Sequence, residues 1–263
     1  MAYETILYEK KGRIVYVTLN RPEKLNAVSD QLSDELIYAG REFDADPEAW
    51  VAILSGAGRA FCSGADVRQR QLRPLEELQR LGGPGGGLRD AGGSMGLGRT
   101  VNWKPVIAAV HGYVLGAGLA LAMSCDLIVA AHDTQLQIRE VQRGIGGATH
   151  WASVHFWGGG RFSNDLAMTG RMFSAQEALQ HGIVNRVVPE DQMIAQAEQM
   201  AEEIMANPPL SVRSNVRVIR TRARQVTSET AVMTGGDQLA FTEDFRESAM
   251  AFMEKRQPIF KGR

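Results

Sequence analysis

The sequence is poor in cysteine. Cys62 and Cys125 are its two thiols. They cannot build a disulfide framework, and no CxxC pair or histidine-rich cluster offers a metal site. A charge bias is missing too. The 29 basic and 30 acidic residues leave a net charge of −1, which gives no electrostatic reason to expect nucleic acid or a membrane as partner. Long apolar runs are also absent. The N-terminal MAYETILYEKKGR holds no stretch of signal-peptide length. The longest apolar stretch, Val106 to Ile128, is broken by His111, Ser124 and Asp126, so it reads as strand, turn, helix and strand. No internal repeat or G-x-y period is present, which excludes collagen. These absences lead to the expectation of a soluble cytoplasmic protein, either one large domain or a domain with an appendage.

Glycine is the residue in excess, with 28 in 263 positions against a usual ~7%. Nine fall within residues 82–98, where their backbone entropy predicts a long loop. Four fall after Gly170, where the pattern turns helical over 175–182, 190–206, 209–224, 228–241 and 243–256. The chain is therefore expected to divide into a glycine-rich α/β core over residues 1–195 and a helical region over 196–263.

Within the core, Thr5–Glu9 and Ile14–Leu19 read as strands around a Lys10–Arg13 turn. Ser29 or Asp30 would cap a helix carrying Leu32, Leu36 and Phe43. Trp50–Leu54, Pro105–Val110 and Leu127–Ala131 read as buried strands. Two segments, Ser63-Gly64-Ala65-Asp66 and Gly116-Ala117-Gly118, follow apolar strands and open toward helices. Amides at such turns lack intrahelical acceptors, and two of them aimed at one point can hold an oxyanion. Gly116–Leu121 does not fit a dinucleotide fingerprint, because Leu121 stands where the third small residue belongs. Cys62 and Ser63 have no G-x-S-x-G elbow around them. His111 at a strand end reads as structural, and the arginines at 213, 217, 220, 222 and 224 read as a solvated helix face.

Leu19-Asn20-Arg21-Pro22-Glu23-Lys24-Leu25-Asn26-Ala27 resembles the opening signature of the enoyl-CoA hydratase/isomerase (crotonase) family. Phe61–Asp66, Lys104–Gly112, Cys125–Leu127 and the ending Phe252–Gly262 are similar to further family motifs, in order along nearly the whole chain. The resemblance implies an α/β crotonase-type spiral of ββα units over 1–195, with a helical C-terminal trimerisation region. It implies an acyl-CoA thioester substrate, no other cofactor and no metal. The assembly would be a homotrimer or a dimer of trimers. The thioester oxygen would lie between the amides of Ala65 and Ala117. Arg21, Lys24, Ala27, Ser63, Gly64, Asp66, Arg68 and Gly116 would surround the CoA and thioester, and Phe260 and Lys261 could reach a neighbouring subunit's nucleotide.

The family's hydratases usually carry glutamate at two positions. Here these are Ala120 and Glu140. A methyl group moves no proton, so Glu140 would be the single base, as in the family's isomerases and some of its feruloyl-CoA hydratase/lyases. His150 is the candidate for a second acid or base. Ala148 stands where the dehalogenase branch places a nucleophilic aspartate, which argues against that chemistry. The expected function is enolate-stabilised proton transfer, as isomerisation or as one-glutamate hydration or lyase chemistry. The alternatives are a CoA-binding or assembly protein that has lost catalysis, and an RNA-binding member of the family.

Overall fold

Strands β3 (Val51–Gly56) and β4 (Val106–Val110) are apolar at nearly every position, and the fold covers them on both faces. The computed structural model describes residues 3–84, 101–234 and 238–263. Its main sheet has the order β1 (Ile6–Lys11), β2 (Ile14–Leu19), β3, β4, β6 (Leu127–Ala131) and β9 (Arg186–Val188). Only the β1–β2 pair is antiparallel. Side chains alternate across a strand, so each strand feeds two cores. Ala52, Leu54, Val106, Ala108 and Val110 join Leu32, Leu36, Ala39 and Phe43 of helix α1 (Asp30–Ala45). Val51, Ile53, Ile107, Ala109 and Val129 join Met193, Ala197 and Met200 of a later helix, Met193–Met205. Ser29 caps α1, its Oγ accepting from Leu32 N–H at 3.1 Å.

The expected β1 turn is shorter in the structure, because pairing continues through Lys11 to Ile14. Helix α2 (Leu75–Leu81) follows a π-type turn over Val67–Gln71. The expected loop at 82–98 lies mostly outside the described residues; Gly82 itself ends α2 in a left-handed conformation. A second sheet joins β5 (Tyr113–Leu115), β7 (Gln135–Gln137) and β8 (Met172–Ser174). Its strands have three residues each, too few to show an alternation in sequence. Helix α3 (Ala117–Met123) lies between β5 and β6, and α4 (Ala148–Gly158) and α5 (Gly160–Thr169) between β7 and β8.

Helix α6 (Ala175–Gln180) starts with a capping box between Ser174 and Glu177. The residue 195/196 boundary falls inside α7 (Met193–Met205), which packs on the main sheet. The two helices expected over 209–224 and 228–241 are corrected to one, α8 (Pro209–Thr234). The hydroxyls of Thr227 and Thr230 donate to carbonyls of the preceding turn, at 3.2 Å to Ala223 O and 2.8 Å to Val226 O, so these threonines do not interrupt the helix. Helix α9 (Glu243–Glu254) closes the chain.

Arg220 also departs from expectation. It is buried, its guanidinium grips both carboxylate oxygens of Asp126, and it donates to Lys104 O at 2.8 Å. Asp126 in turn accepts from Val106 N–H at 2.7 Å. This pair ties α8 to the start of β4. Removing one member of a buried ion pair strands the other's charge, at about 3–5 kcal/mol. Arg220→Ala is therefore expected to lower the unfolding free energy by about that amount, and Arg220→Ala/Asp126→Asn to lose less than the sum of the single losses. Denaturant titration of the three variants checks this; additive losses would show that the two side chains do not act as a pair.

Candidate functional site

β5 and β7 run parallel with Leu115 opposite Gln137, and Gly116 N–H donates to Gln137 O at 3.0 Å. Beyond this pair both strands leave the sheet at their carboxyl ends. One leads into Gly116, Ala117 and α3, the other into Ile138, Arg139 and Glu140. Residues 61–65 lie against β5. Cys62 N–H donates to Tyr113 O at 2.9 Å, and Leu115 N–H to Cys62 O at 3.0 Å. On their other side, Val28 N–H donates to Gly64 O and Asp66 N–H to Val28 O. In a parallel bridge of this kind the residue between the two bonds turns its own N–H away from the partner. The Ala65 N–H is thus free of Val28. Ala117 is the first residue of α3, where an N–H has no intrahelical acceptor. Neither amide donates to a backbone acceptor among the described residues.

Two glycines permit this approach. A Cβ on Gly118 would lie 2.5 Å from Cys62 O and 2.7 Å from Cys62 Cβ. Gly116 sits at φ +49°, and a Cβ there would come within 2.8 Å of Glu140 Oε1. Main chain and carboxylate therefore meet at one spot.

Glu140 opens the 3-10 turn Val141–Arg143. Its Oε1 lies 3.2 Å from His150 Nε2, and that nitrogen is also 3.2 Å from Gly116 O. A carbonyl can only accept, so Nε2 carries the proton in this arrangement. Glu140 Oε2 and His150 Nδ1 are buried without a hydrogen-bond partner among the described residues. His150 lies in the first turn of α4. It lines two spaces: a cleft of about 1190 Å³ shared with Glu140, and an apolar cavity of about 400 Å³ shared with Ala120, Trp157 and Ile219. The position without a second carboxylate thus borders that apolar cavity.

The cleft gathers most of the residues expected from sequence: Arg21, Lys24, Ala27, Ser63, Gly64, Ala65, Asp66, Arg68, Gly116, Ala117, Glu140 and His150. Their present contacts differ. Arg21 is committed inside the protein, donating to Ala27 O at 2.5 Å and pairing with Asp66 at 3.2 Å. Lys24 and Arg68 have no side-chain hydrogen bond or ion pair among the described residues. Ser63 Oγ contacts Lys24 O at 3.4 Å. Asn26, from the first motif, is buried and donates to Ala57 O and Ala60 O, both at 2.8 Å. Phe260 and Lys261 do not line the cleft. The tail folds back on α9, with Lys261 Nζ 3.1 Å from Glu243.

His111 is structural, bonding Gly58 O at 2.8 Å. Burial pushes the Cys62 and Cys125 thiols up to about 12, which leaves them poor nucleophiles. Among the described residues no cluster of three or more His, Cys, Asp or Glu suits a metal ion, and no helix is long and apolar enough to cross a membrane.

Arg139, Arg143 and Phe252 also line the cleft, and none of them is among the site residues expected from sequence. The three-residue step from Glu140 to Arg143 was a usable signal, because residues three apart eclipse in a 3-10 turn. The return of α9 onto that turn was not.

The family model for enoyl-CoA hydratase/isomerase matches residues 9–263. A mevalonyl-coenzyme A hydratase of Aspergillus fumigatus is 37% identical over 94% of this chain and 91% of its own. A probable enoyl-CoA hydratase of Rhizobium meliloti is 36% identical over the full length of both. Among solved structures, a methylmalonyl-CoA decarboxylase in complex with 2-nitronate-propionyl-CoA superposes with a TM-score of 0.81, at 25% identity and full coverage of both chains.

The contact between α3 and residue 62 has a direct test. Gly118→Ala places a methyl group inside the Cys62 contact distance, and overpacking of this kind costs about 1–3 kcal/mol. Urea titration is expected to show that loss; unchanged stability would mean the two segments do not touch.

Proposed function

The chain belongs to the enoyl-CoA hydratase/isomerase family and has its crotonase fold, and from that premise we propose that it hydrates an enoyl-CoA thioester, reversibly, with Glu140 as the single carboxylate base. Acyl-CoA substrates fit the family. The observation that carries the reading is the unpartnered Glu140 Oε2 in the same cleft as Ala65 and Ala117, whose amides donate to no backbone acceptor among the described residues.

The chemistry follows from the groups present. The thioester oxygen accepts from the Ala65 and Ala117 N–H groups. Glu140 Oε2 takes a proton from water as the water oxygen bonds to C3. The π electrons move toward the carbonyl, and the enolate oxygen gains charge where the two amides lie. Each fixed donor of this kind is worth roughly 2.7–4 kcal/mol in the transition state. Protonated Glu140 then returns that proton to C2, so water adds across the double bond with its hydroxyl on C3 and its other hydrogen on C2. No metal or further cofactor enters this scheme.

His150 has a defined part in it. Its Nε2, 3.2 Å from Glu140 Oε1, shares its proton with that oxygen in the proposed reaction and leaves Oε2 as the oxygen that exchanges protons. It is thereby a positioning residue for Glu140 rather than an independent acid across the cleft. Isomerisation needs the same parts without water: Glu140 removes a proton from C4 and returns it at C2. The absence of a second carboxylate at Ala120 favours this second reading. The assembly proposed with either reaction is a homotrimer or a dimer of trimers. Val218, Val232 and Met233 on α8 are exposed apolar side chains, suited to contact with another copy.

Glu140→Gln is expected to lower kcat on a panel of enoyl-CoAs by about 10²–10⁴-fold with little change in thioester binding. Undiminished turnover would overturn the assignment, and binding without turnover in the wild type would identify a CoA-binding protein instead. Losing a hydrogen bond to a charged group costs about 1.5–3 kcal/mol, so His150→Ala should lower kcat roughly 10–100-fold while KM holds. His150→Gln, which keeps an N–H donor, should recover part of the loss. A change confined to KM would remove His150 from this role.

A further inference from the structure

Two guanidinium groups flank Glu140 without a carboxylate of their own. Arg139 precedes it. Arg143 follows on the 3-10 turn, with its N–H donating to Glu140 O at 2.9 Å. Both side chains line the cleft, and neither lines the apolar cavity. Both bracket the ring of Phe252 from α9, with Arg143 Cζ 4.0 Å and Arg139 Cζ 5.6 Å from its centroid.

Their polar contacts are few. Arg143 is buried and donates to Ser248 O at 3.4 Å. Arg139 makes no hydrogen bond or ion pair among the described residues, and its Nε is buried without a partner. Glu140 attracts Arg139 electrostatically, but its Oε1 lies against His150 Nε2, at 3.2 Å. Burial weakens the protonated form of both arginines. For Arg143 burial is joined by repulsion from Arg139, and together they bring it down to about 10. Both still carry charge at neutral pH. A protein seldom places two cations together, partly desolvated, with so few partners. Two other arginines of the cleft have carboxylate partners. Arg21 pairs with Asp66, and Arg70 with Asp30.

We propose that Arg139 and Arg143 form a binding site for a carboxylate on the acyl chain, so that the preferred substrates are thioesters of dicarboxylic acids. The inference rests on the reading that the cleft takes an acyl-CoA. A guanidinium matches a carboxylate with paired N–H donors, and two of them against one aromatic wall fix where that carboxylate lies. An anion there also replaces the missing counter-charge, which ties specificity to the burial of the pair. A phosphate of CoA has the same attraction for guanidinium. The acyl carboxylate is favoured because the arginines adjoin Glu140, the group that works on the acyl carbons, while Lys24 and Arg68 leave unpaired cations elsewhere in the cleft for phosphates.

Calorimetry on the full-length protein tests this with thioesters that cannot be hydrated. Glutaryl-CoA and succinyl-CoA are compared with butyryl-CoA and octanoyl-CoA, and each is measured on wild type, Arg139→Gln, Arg139→Lys and Arg143→Lys, with circular dichroism to check folding. The expected result is at least one dicarboxylic thioester bound on the order of 10–100-fold tighter than butyryl-CoA. Arg139→Gln should remove most of that ratio, and Arg139→Lys should keep part of it. Equal affinity for charged and neutral chains, or preference for the octanoyl chain, overturns the proposal. An equal loss for every thioester in the Arg139 variants, absent with 3′-dephospho-CoA thioesters, overturns it in favour of a CoA phosphate. If no acyl-CoA binds at all, the underlying reading of the cleft has failed instead.

Discussion

Two stretches of main chain, residues 61–66 and 111–118, lie closer together than any side chain between them would allow, and the site depends on that approach. Cys62 bonds to both Tyr113 and Leu115, which sets one stretch in register with the other. Gly118 removes the atom that would strike Cys62. With the register fixed, the amides of Ala65 and Ala117 donate to no backbone acceptor among the described residues. In the proposed reaction their unsatisfied hydrogen-bonding capacity receives the oxygen that gains charge. Because the donors belong to the backbone, the cost of orienting them is met in folding and is not repeated at each turnover.

The same strand pair places the base. β5 and β7 end side by side, so the chain that enters α3 and the chain that enters the turn at Glu140 emerge together. Gly116 lets the carboxylate come against the main chain, and His150 Nε2 bonds to Gly116 O and lies 3.2 Å from Glu140 Oε1. One imidazole thus joins the backbone of one amide segment to the carboxylate. Around this centre cations are in excess. In the proposed reaction oxyanion, acyl carboxylate and CoA phosphates are all negative, and Lys24, Arg68, Arg139 and Arg143 line the cleft that would receive them.

Much of this is legible in the sequence. The apolar runs at 106–110 and 127–131 gave the buried strands, Ser29 gave the start of α1, and the glycine-bearing turns gave the two amide segments. Those features are local, and local patterns persist into the fold. What the sequence concealed was of two kinds. Three-residue strands such as β5 and β7 are too short to show a period, although they align the site. Long-range returns were also hidden: α9 brings Phe252 to Arg139 and Arg143, and α8 brings Arg220 to Asp126. A run of arginines on α8 reads as a solvated face until the tertiary structure shows one of them buried in an ion pair. Likewise His150 stands out in sequence only as a histidine near the site, and its contact with Glu140 is a product of how α4 packs against α3.

The central claim is that two backbone amides polarise a thioester carbonyl. Difference infrared spectroscopy of a bound acyl-CoA, isotopically labelled at the carbonyl carbon, tests it most directly. Hydrogen bonding from Ala65 and Ala117 weakens the C=O bond, so the labelled stretch is predicted to move to lower frequency when the thioester binds. A bound thioester whose carbonyl keeps its frequency in water, or moves higher, would contradict the account.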